Sequence, residues 1–328
     1  MKRFTSRIRA LLMLAAPAAL LAAAALPAAA DTYPSQPVRL VVPFPPAGGT
    51  DVMARLVFNK VGASTHWNVV VENRAGAGGN IGMDAVAKAR PDGYTLGMGQ
   101  TANLAINPTL YPRMPYDAVK DFAPVALVSA QPLVLIVRKD APYKNLADLV
   151  AAGKAKQLSM ASAGTGTVGH LTGEMFARRT GIKMLHVPYK GASPALTDLL
   201  GGQTDFYFAT PPIALPMLKG GKLKALAVTS ARRLPLLADI PTVIEGGYAG
   251  FQAEDWKALV APAGTPADVI KRVNEAVNKA IAEPETVARM REEGSEPRGG
   301  TPAELGAFIK AENTRWGTIV HQSGAKVE

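Results

Sequence analysis

The sequence predicts an α/β protein made of parallel sheets flanked by helices and divided between two domains. Three observations lead there. Short β-branched runs alternate repeatedly with glycine-rich turns and helix-period stretches, the pattern of successive strand–turn–helix units. Two long apolar stretches, at residues 122–139 and 246–262, break at Gln131-Pro132 and pass through Trp256, which suits strands that carry the chain between domains. The 328 residues are enough for two cores at about 150 residues per domain.

The amino terminus precedes that pattern. Lys2, Arg3, Arg7 and Arg9 lead into an apolar run from Leu11 to Leu26 that ends in Ala28-Ala29-Ala30, a secretory signal with cleavage expected after Ala30. Pro17 and Pro27 bracket a core shorter than the ~20 apolar residues of a membrane span. Cleavage leaves 298 residues and takes the net charge from +10 to +6. With no Lys/Arg-dense helix and no RNA-binding aromatic signature, that charge reads as a solvated surface, and no nucleic acid is expected as a partner. The lack of cysteine excludes a disulfide scaffold, a thiolate metal site and a Cys nucleophile, and it is compatible with an oxidising compartment.

After Asp31 the units follow in order. Val38 to Phe44 reads as a strand, and Thr50 to about Val61 as a helix with Val52, Leu56 and Phe58 or Asn59 spacing one face. Asn68 to Val71 is the next strand, with a helix from Gly78 onward, and Pro91 to Gly99 adds a Pro-Asp-Gly turn and a buried strand. Beyond the first crossover, Leu158 to Ala161 and Lys183 to Val187 are strands, each followed by a glycine turn and a helix. After the second, the residues from Pro266 place Val269, Val273 and Val277 on one helical face. Thr301, Pro302 and Glu304 signal the start of a last helix, to His321. Two crossovers make the first domain discontinuous: 31–130 with 251–328 form one, and 131–250 the other.

Four glycine loops sit at strand-to-helix junctions: PFPPAGGTD (43–51), NRAGAGGNIG (73–82), SAGTGTVGH (162–170) and PYKGASPA (188–195). In parallel α/β sheets these junctions lie at the carboxyl ends of strands. There, helix N-termini offer unpaired N–H groups and the positive end of the macrodipole. Glycine lets a ligand approach such amides with no Cβ in the way. A small carboxylate clamped between two domains would thus be held without arginine. Asp51, in a first helical turn, is a dipole-complementing carboxylate or a ligand contact. Asp205, at the start of an apolar strand, bonds the ligand or its neighbouring loop.

Other chemistries find less support. Gly76 to Gly82 matches G-x-G-x-x-x-G rather than the dinucleotide fingerprint. No G-x-S-x-G elbow is present, and His66, His170, His186 and His321 show no metal-ligand spacing, so neither metal nor cofactor is expected. His170, opening a helix after a glycine loop, reads as a packed or capping residue, and Trp67, Trp256 and Trp316 as core or hinge packing.

Taken together, the loops resemble the tripartite tricarboxylate transporter substrate-binding proteins, the Bug family, over the whole chain. The segments that carry the likeness are PFPPAGGTDVMAR, VENRAGAGGNIG, PDGYTLGMG, SAGTGTVGHL, HVPYKGASPALTDLLGGQTDFYF and WKALVAPAGTP. The resemblance implies a type II periplasmic binding protein fold, two doubly wound α/β domains with a ligand cleft and two hinge crossovers. It also implies a monomeric, non-enzymatic periplasmic receptor without cofactor, which captures a small organic anion and delivers it to integral membrane subunits of a tripartite transporter. The matching positions imply ligand contacts at Phe44, Ala47, Gly48, Gly49 and Asp51, with Ala77 and Thr101 nearby, and at Ser162, Gly164, Thr165, Thr167 and Asp205 in the second domain. The family often has glycine where Ala47 stands. A sensory module signalling to a kinase, and an exported hydrolase using Ser162, are the alternatives.

Overall fold

Burial on both faces explains the first strand. In β1 (Val38–Val42) only Arg39 is not buried, as expected of a central strand whose faces are both covered. The computed structural model describes residues 33–327, so the export signal expected over residues 1–30 lies outside them. Around β1 the chain adds α1 (Gly49–Thr65), the edge strand β2 (Val69–Asn73), α2 (Asn80–Ala87) and β3 (Thr95–Gln100). A π-helical turn at Ala102–Ile106 runs into the short α3 (Asn107–Leu110), and β4 (Phe122–Pro132) follows.

The chain then enters a second sheet at β5 (Val134–Arg138), directly after β4. It continues through α4 (Leu146–Ala155), β6 (Leu158–Ser162), α5 (Val168–Thr180), β7 (Met184–Pro188), α6 (Ala192–Leu200), β8 (Phe206–Ala209), α7 (Pro211–Lys219) and β9 (Leu223–Val228). It returns to the first sheet with β10 (Glu254–Pro262), and α8 (Ala267–Ala282), α9 (Pro284–Glu292), β11 (Glu296–Gly299) and α10 (Pro302–Ser323) complete it.

The sheets share a plan. The first runs β2-β1-β3-β10-β4-β11 and the second β7-β6-β8-β5-β9. In each, the first βα unit is central, the second lies at the edge, and the strand that brings the chain across is inserted before the last unit's strand. The inserted strands, β10 and β5, are antiparallel to both neighbours. The expectation of parallel sheets therefore holds for the βα strands, β1 with β2 and β3, and β6 with β7 and β8. It fails for β5 and β10, which arrive from the opposite direction, and for β11, which pairs antiparallel with β4. The edge strand β11, of sequence EPRG, carries no β-propensity and forms because β4 offers it a free edge.

One helical face differs from the sequence reading. In α1 the buried apolar residues are Met53, Ala54, Val57, Phe58 and Val61, so of the expected face Phe58 is buried, whereas Val52 is exposed. Met53, Val57 and Val61 repeat at the helical period and form the inward row, and Val52, one residue before it, turns outward. The late helices behave as expected: Val269, Val273 and Val277 of α8 are buried, and α10 opens with a capping box between Thr301 and Glu304.

Both crossovers meet at Thr229. Its N–H donates to the Leu133 carbonyl (2.9 Å) and its hydroxyl accepts from the Leu133 N–H (2.8 Å). The same hydroxyl donates to the Ala253 carbonyl (2.6 Å), and the Ala253 N–H donates to the Thr229 carbonyl (3.1 Å). Thr229 is completely buried, so no water can replace these bonds. Thr229→Val keeps the shape but strands one donor and one acceptor, and is expected to lower the unfolding free energy by about 2 kcal/mol, as read by urea denaturation.

Candidate functional site

The carboxyl ends of β1, β2 and β3 face those of β6 and β8 across a cavity of about 200 Å³. Its wall draws Phe44, Gly78, Gln100, Asn107 and Tyr111 from the first sheet's side, and Thr165, Thr167, Tyr207 and Thr210 from the second. Leu133, in the first crossover, and Asp255, near the start of β10, close it toward the hinge. The volume equals roughly six or seven waters and falls below the ~300 Å³ at which drug-sized sites begin, so the cavity suits a small molecule. No lysine or arginine lines it.

The first loop is tied down before it reaches the cavity. Asn73 Nδ2 donates to the Phe44 carbonyl (3.0 Å) and to Asp51 Oδ1 (2.9 Å). The Ala47 N–H donates to Asp51 Oδ2 (2.9 Å), and Arg55 Nε adds 3.0 and 3.1 Å bonds to the two oxygens. Burial alone would raise the Asp51 carboxyl, but the bonds from Arg55, Asn73 and Ala47 outweigh it and hold the group below its usual value. Ala47 itself has φ of +61°, a left-handed conformation that its bond to Asp51 helps to sustain.

In the second loop Gly78 and Gly79 have positive φ. A Cβ on Gly79 would stand 2.7 Å from Asn103 Nδ2 and 3.0 Å from the Phe44 ring, so only glycine fits beneath Phe44. Asn107 Nδ2 donates to the Gly78 carbonyl (3.1 Å) and to Asn80 Oδ1 (2.7 Å), which leaves the loop's carbonyl occupied. Two side chains of the wall, Gln100 and Tyr111, can donate into the cavity. Thr50 Oγ1 donates to Gln100 Oε1 (2.6 Å), leaving the amide's NH2 end for another partner. Burial pushes the Tyr111 phenol up, which keeps it protonated at neutral pH.

The third loop rests on two stacked imidazoles. His170 and His186 have ring centroids 3.7 Å apart. The Gly166 N–H donates to His170 Nδ1 (3.1 Å), and His186 Nε2 lies 2.6 Å from Ser162 Oγ. Ser162 also accepts from the Gly164 N–H (3.1 Å), while Thr167 Oγ1 donates to the Gly164 carbonyl (2.8 Å) and caps α5. The amino end of α5 thus meets the cavity at Val168 and Gly169, with its dipole favouring negative charge. Burial, with the neighbouring His170 ring, pulls His186 down to about 3. Its folded value lies below the unfolded 6.5, so the stability it contributes is present above pH 6.5 and is lost as pH falls toward 3. Thermal unfolding across that window is expected to fall less steeply in His186→Gln than in the native chain.

The positions expected from sequence separate into groups. Phe44, Thr165 and Thr167 line the cavity. Ala47 and Gly49 line a smaller hollow of about 110 Å³, with Gln131, Pro212 and Ser295, and Gly48 sits between them in sequence. Asp51 is buried under Arg55 and Asn73. Ala77 adjoins Gly78, and Thr101 adjoins Gln100, but Thr101 is fully buried and its hydroxyl accepts from the Trp256 N–H (2.8 Å). Ser162 is fully buried beside Gly164, under the loop whose Thr165 reaches the cavity. Asp205 lies at the other end of the second sheet, before β8 begins, where Ser159 N–H (2.8 Å), Ser159 Oγ (2.9 Å) and Tyr143 OH (3.2 Å) donate to it.

The cavity also holds residues that the sequence reading did not single out. Gln100 ends β3 and Thr210 follows β8, so the carboxyl-end rule would have found both. Asn107, Tyr111 and Asp255 carry no local signal; the π-helical turn and the returning strand bring them there.

Comparison with known proteins gives a consistent picture. The family model described as tripartite tricarboxylate transporter family receptor matches residues 53–325. Protein BugT of Bordetella pertussis is 40% identical over 307 residues, 93% of this chain and 94% of that protein. Among solved structures, Rpa4515 of R. palustris with adipate is 35% identical with a TM-score of 0.83, over 90% of this chain and 100% of that one. MatC from Rhodopseudomonas palustris with bound malate is 33% identical with a TM-score of 0.77, over 88% and 100%. The architecture is the type II periplasmic binding protein fold.

Proposed function

Because the chain belongs to the tripartite tricarboxylate transporter receptor family, we propose that it is an exported, non-enzymatic periplasmic receptor. In this reading it captures a small organic carboxylate by closure of two lobes and delivers it to integral membrane transporter subunits. The lobes are residues 31–130 with 251–328, and residues 131–250, and the export signal is cleaved near Ala30. The observation that carries the reading is the cavity itself: about 200 Å³, walled by loops of both sheets, free of lysine and arginine, and met by the amino end of α5. Peptide and side-chain amides are then the groups that grip an anion. The adipate and malate held by the two relatives are acids of fitting size.

A ligand that touches both lobes stabilises the closed form by its differential affinity for that form. Phe44, Ala47, Gly48, Gly49, Asp51, Ala77 and Thr101 serve on the first lobe as contacts or as the frame beneath them; Ser162, Gly164, Thr165 and Thr167 do so on the second. Asp205 fixes the far end of β6. Complete burial of Ser162 favours this framing role over that of a nucleophile.

Thermal shift of ligand-free mature protein against a carboxylate panel containing adipate, malate and succinate tests the reading. A ligand at 100 times its dissociation constant is expected to add about 2.7 kcal/mol to folding stability. Absence of any shift across the panel would overturn it. Loss of uptake of the labelled ligand on gene deletion tests delivery.

A further inference from the structure

Strand alternation divides three consecutive residues of β10. Trp256 turns to one face, where its indole donates to Glu312 Oε2 (2.8 Å), while Asp255 and Lys257 turn to the other. Lys257 is 1% exposed and its Nζ lies 3.1 Å from Asp255 Oδ2. Gln131 Nε2 donates to the same oxygen (3.3 Å), and Gln131 Oε1 accepts from Ser295 Oγ (2.8 Å). The carboxylate is therefore held in orientation from behind, and its charge is offset by a buried ammonium.

Both bonds to Asp255 fall on Oδ2. Asp255 is 8% exposed and lines the cavity, and its Oδ1 is buried without a hydrogen-bond partner. A carboxylate oxygen out of water and without a donor is a costly arrangement. It is also an unusual wall for an anion site: among the described residues Asp255 is the one charged side chain lining the cavity, and it is acidic. The Lys257 charge offsets repulsion toward an anionic ligand without placing a cation in the cavity.

We propose that Asp255 sets the specificity of this cavity: a ligand whose carbon chain carries an O–H or N–H group turns the carboxylate so that Oδ1, enclosed in the ligand-free protein, accepts a hydrogen bond from it. The favoured ligands are accordingly hydroxy- or amino-carboxylates, and unsubstituted acids of the same length bind less well. The proposal deepens the carboxylate-receptor reading and rests on it. Its logic is that of any site built around a fixed polar group: an analogue without the matching donor leaves that group unpaired. An ammonium would gain a charge-assisted bond, a hydroxyl a weaker one.

Three acids isolate the effect, since succinate, malate and aspartate share a four-carbon diacid skeleton and differ only in hydrogen, hydroxyl or ammonium at one carbon. Titration calorimetry on the ligand-free mature protein is expected to show malate or aspartate binding at least tenfold more tightly than succinate. Aspartate ahead of malate assigns the donor as ammonium, and the reverse order as hydroxyl. Adipate against 2-aminoadipate repeats the comparison at greater length. In Asp255→Leu combined with Lys257→Met, which removes the buried ion pair as a unit, the ratio is expected to collapse to within about twofold. Asp255→Asn, closer in shape, serves if the double variant does not fold, and is expected to lose any preference for ammonium. Equal binding of substituted and unsubstituted acids, or a ratio that survives both variants, overturns the proposal and leaves the carboxylate reading standing. Binding of none of the five acids overturns both.

Discussion

Gly166→Ala is expected to weaken ligand binding by roughly 5- to 150-fold while the protein stays folded, and Gly181→Ala is expected to leave binding unchanged. Both glycines have similar positive φ, +79° and +73°, so both alanines carry the same kind of backbone strain. They differ in what a methyl would meet. At Gly181 nothing lies within 4 Å, whereas at Gly166, in the loop after β6, a Cβ would stand 2.2 Å from Leu110 Cδ2 at the end of α3. Leu110 is 5% exposed and has little room to turn aside. Gly166 and Leu110 come from opposite sides of the cavity, so the methyl acts as a wedge against closure. Overpacking costs about 1–3 kcal/mol, and at 1.4 kcal/mol per tenfold that cost gives the stated range. Calorimetry with the best acid from the panel measures it. Adding Leu110→Ala should restore most of the lost affinity. If the double variant binds no better, the methyl obstructs the ligand directly and closure is not the cause.

Glu312→Ala is expected to cost about 2–6 kcal/mol of folding stability, about 1–3 for each stranded indole N–H, the largest single-residue effect on stability of the variants proposed. Glu312, on α10, is 8% exposed and accepts at Oε2 from the indoles of Trp256 (2.8 Å) and Trp316 (2.9 Å). Its Oε1 accepts from Arg315 (2.9 Å), which reaches on to the Gln252 carbonyl in the second crossover. The two indoles are 1% and 0% exposed. Truncation strands both N–H groups and frees Arg315 from the carboxylate that pairs with it. Glu312→Gln keeps an acceptor oxygen for the indoles and should lose less than half as much. Urea denaturation of the two variants separates the indole bonds from the Arg315 pair; equal losses would show that charge, not indole satisfaction, dominates. Since α10 thereby pins the second crossover, Glu312→Ala is also the variant in which closure should become less well defined.

These two sites show where local reading stops. Glycine at 164 and 166 marks a tight turn after a strand, and that much is legible from spacing alone. That Gly166 touches Leu110 is not, because the two lie in different βα units joined only through the folded sheets. In the same way, a tryptophan at 256 and another at 316 look like core residues, and they are; their shared carboxylate emerges only when α10 is laid across β10. Asp51 and Asp205 teach the complementary lesson. Each stands beside a glycine turn, which makes a ligand role plausible, yet each spends its oxygens on protein donors. Asp205 directly precedes β8, at the end of the sheet opposite the loops.

By itself the sequence determined the early strand–turn–helix units, the two late amphipathic helices, the stretches in which the chain passes between sheets, and the placing of four glycine loops where helix N-termini open. Those features follow from periodicity, turn chemistry and capping, which act over a few residues and leave a local trace. The tertiary structure alone decided which strands run antiparallel, which face of α1 is buried, and how Thr229 ties both crossovers together. It alone brought Asn107, Tyr111 and Asp255 to one cavity. Such pairings are set by how distant segments share a sheet and compete for a finite interior, and no short window of sequence encodes that competition.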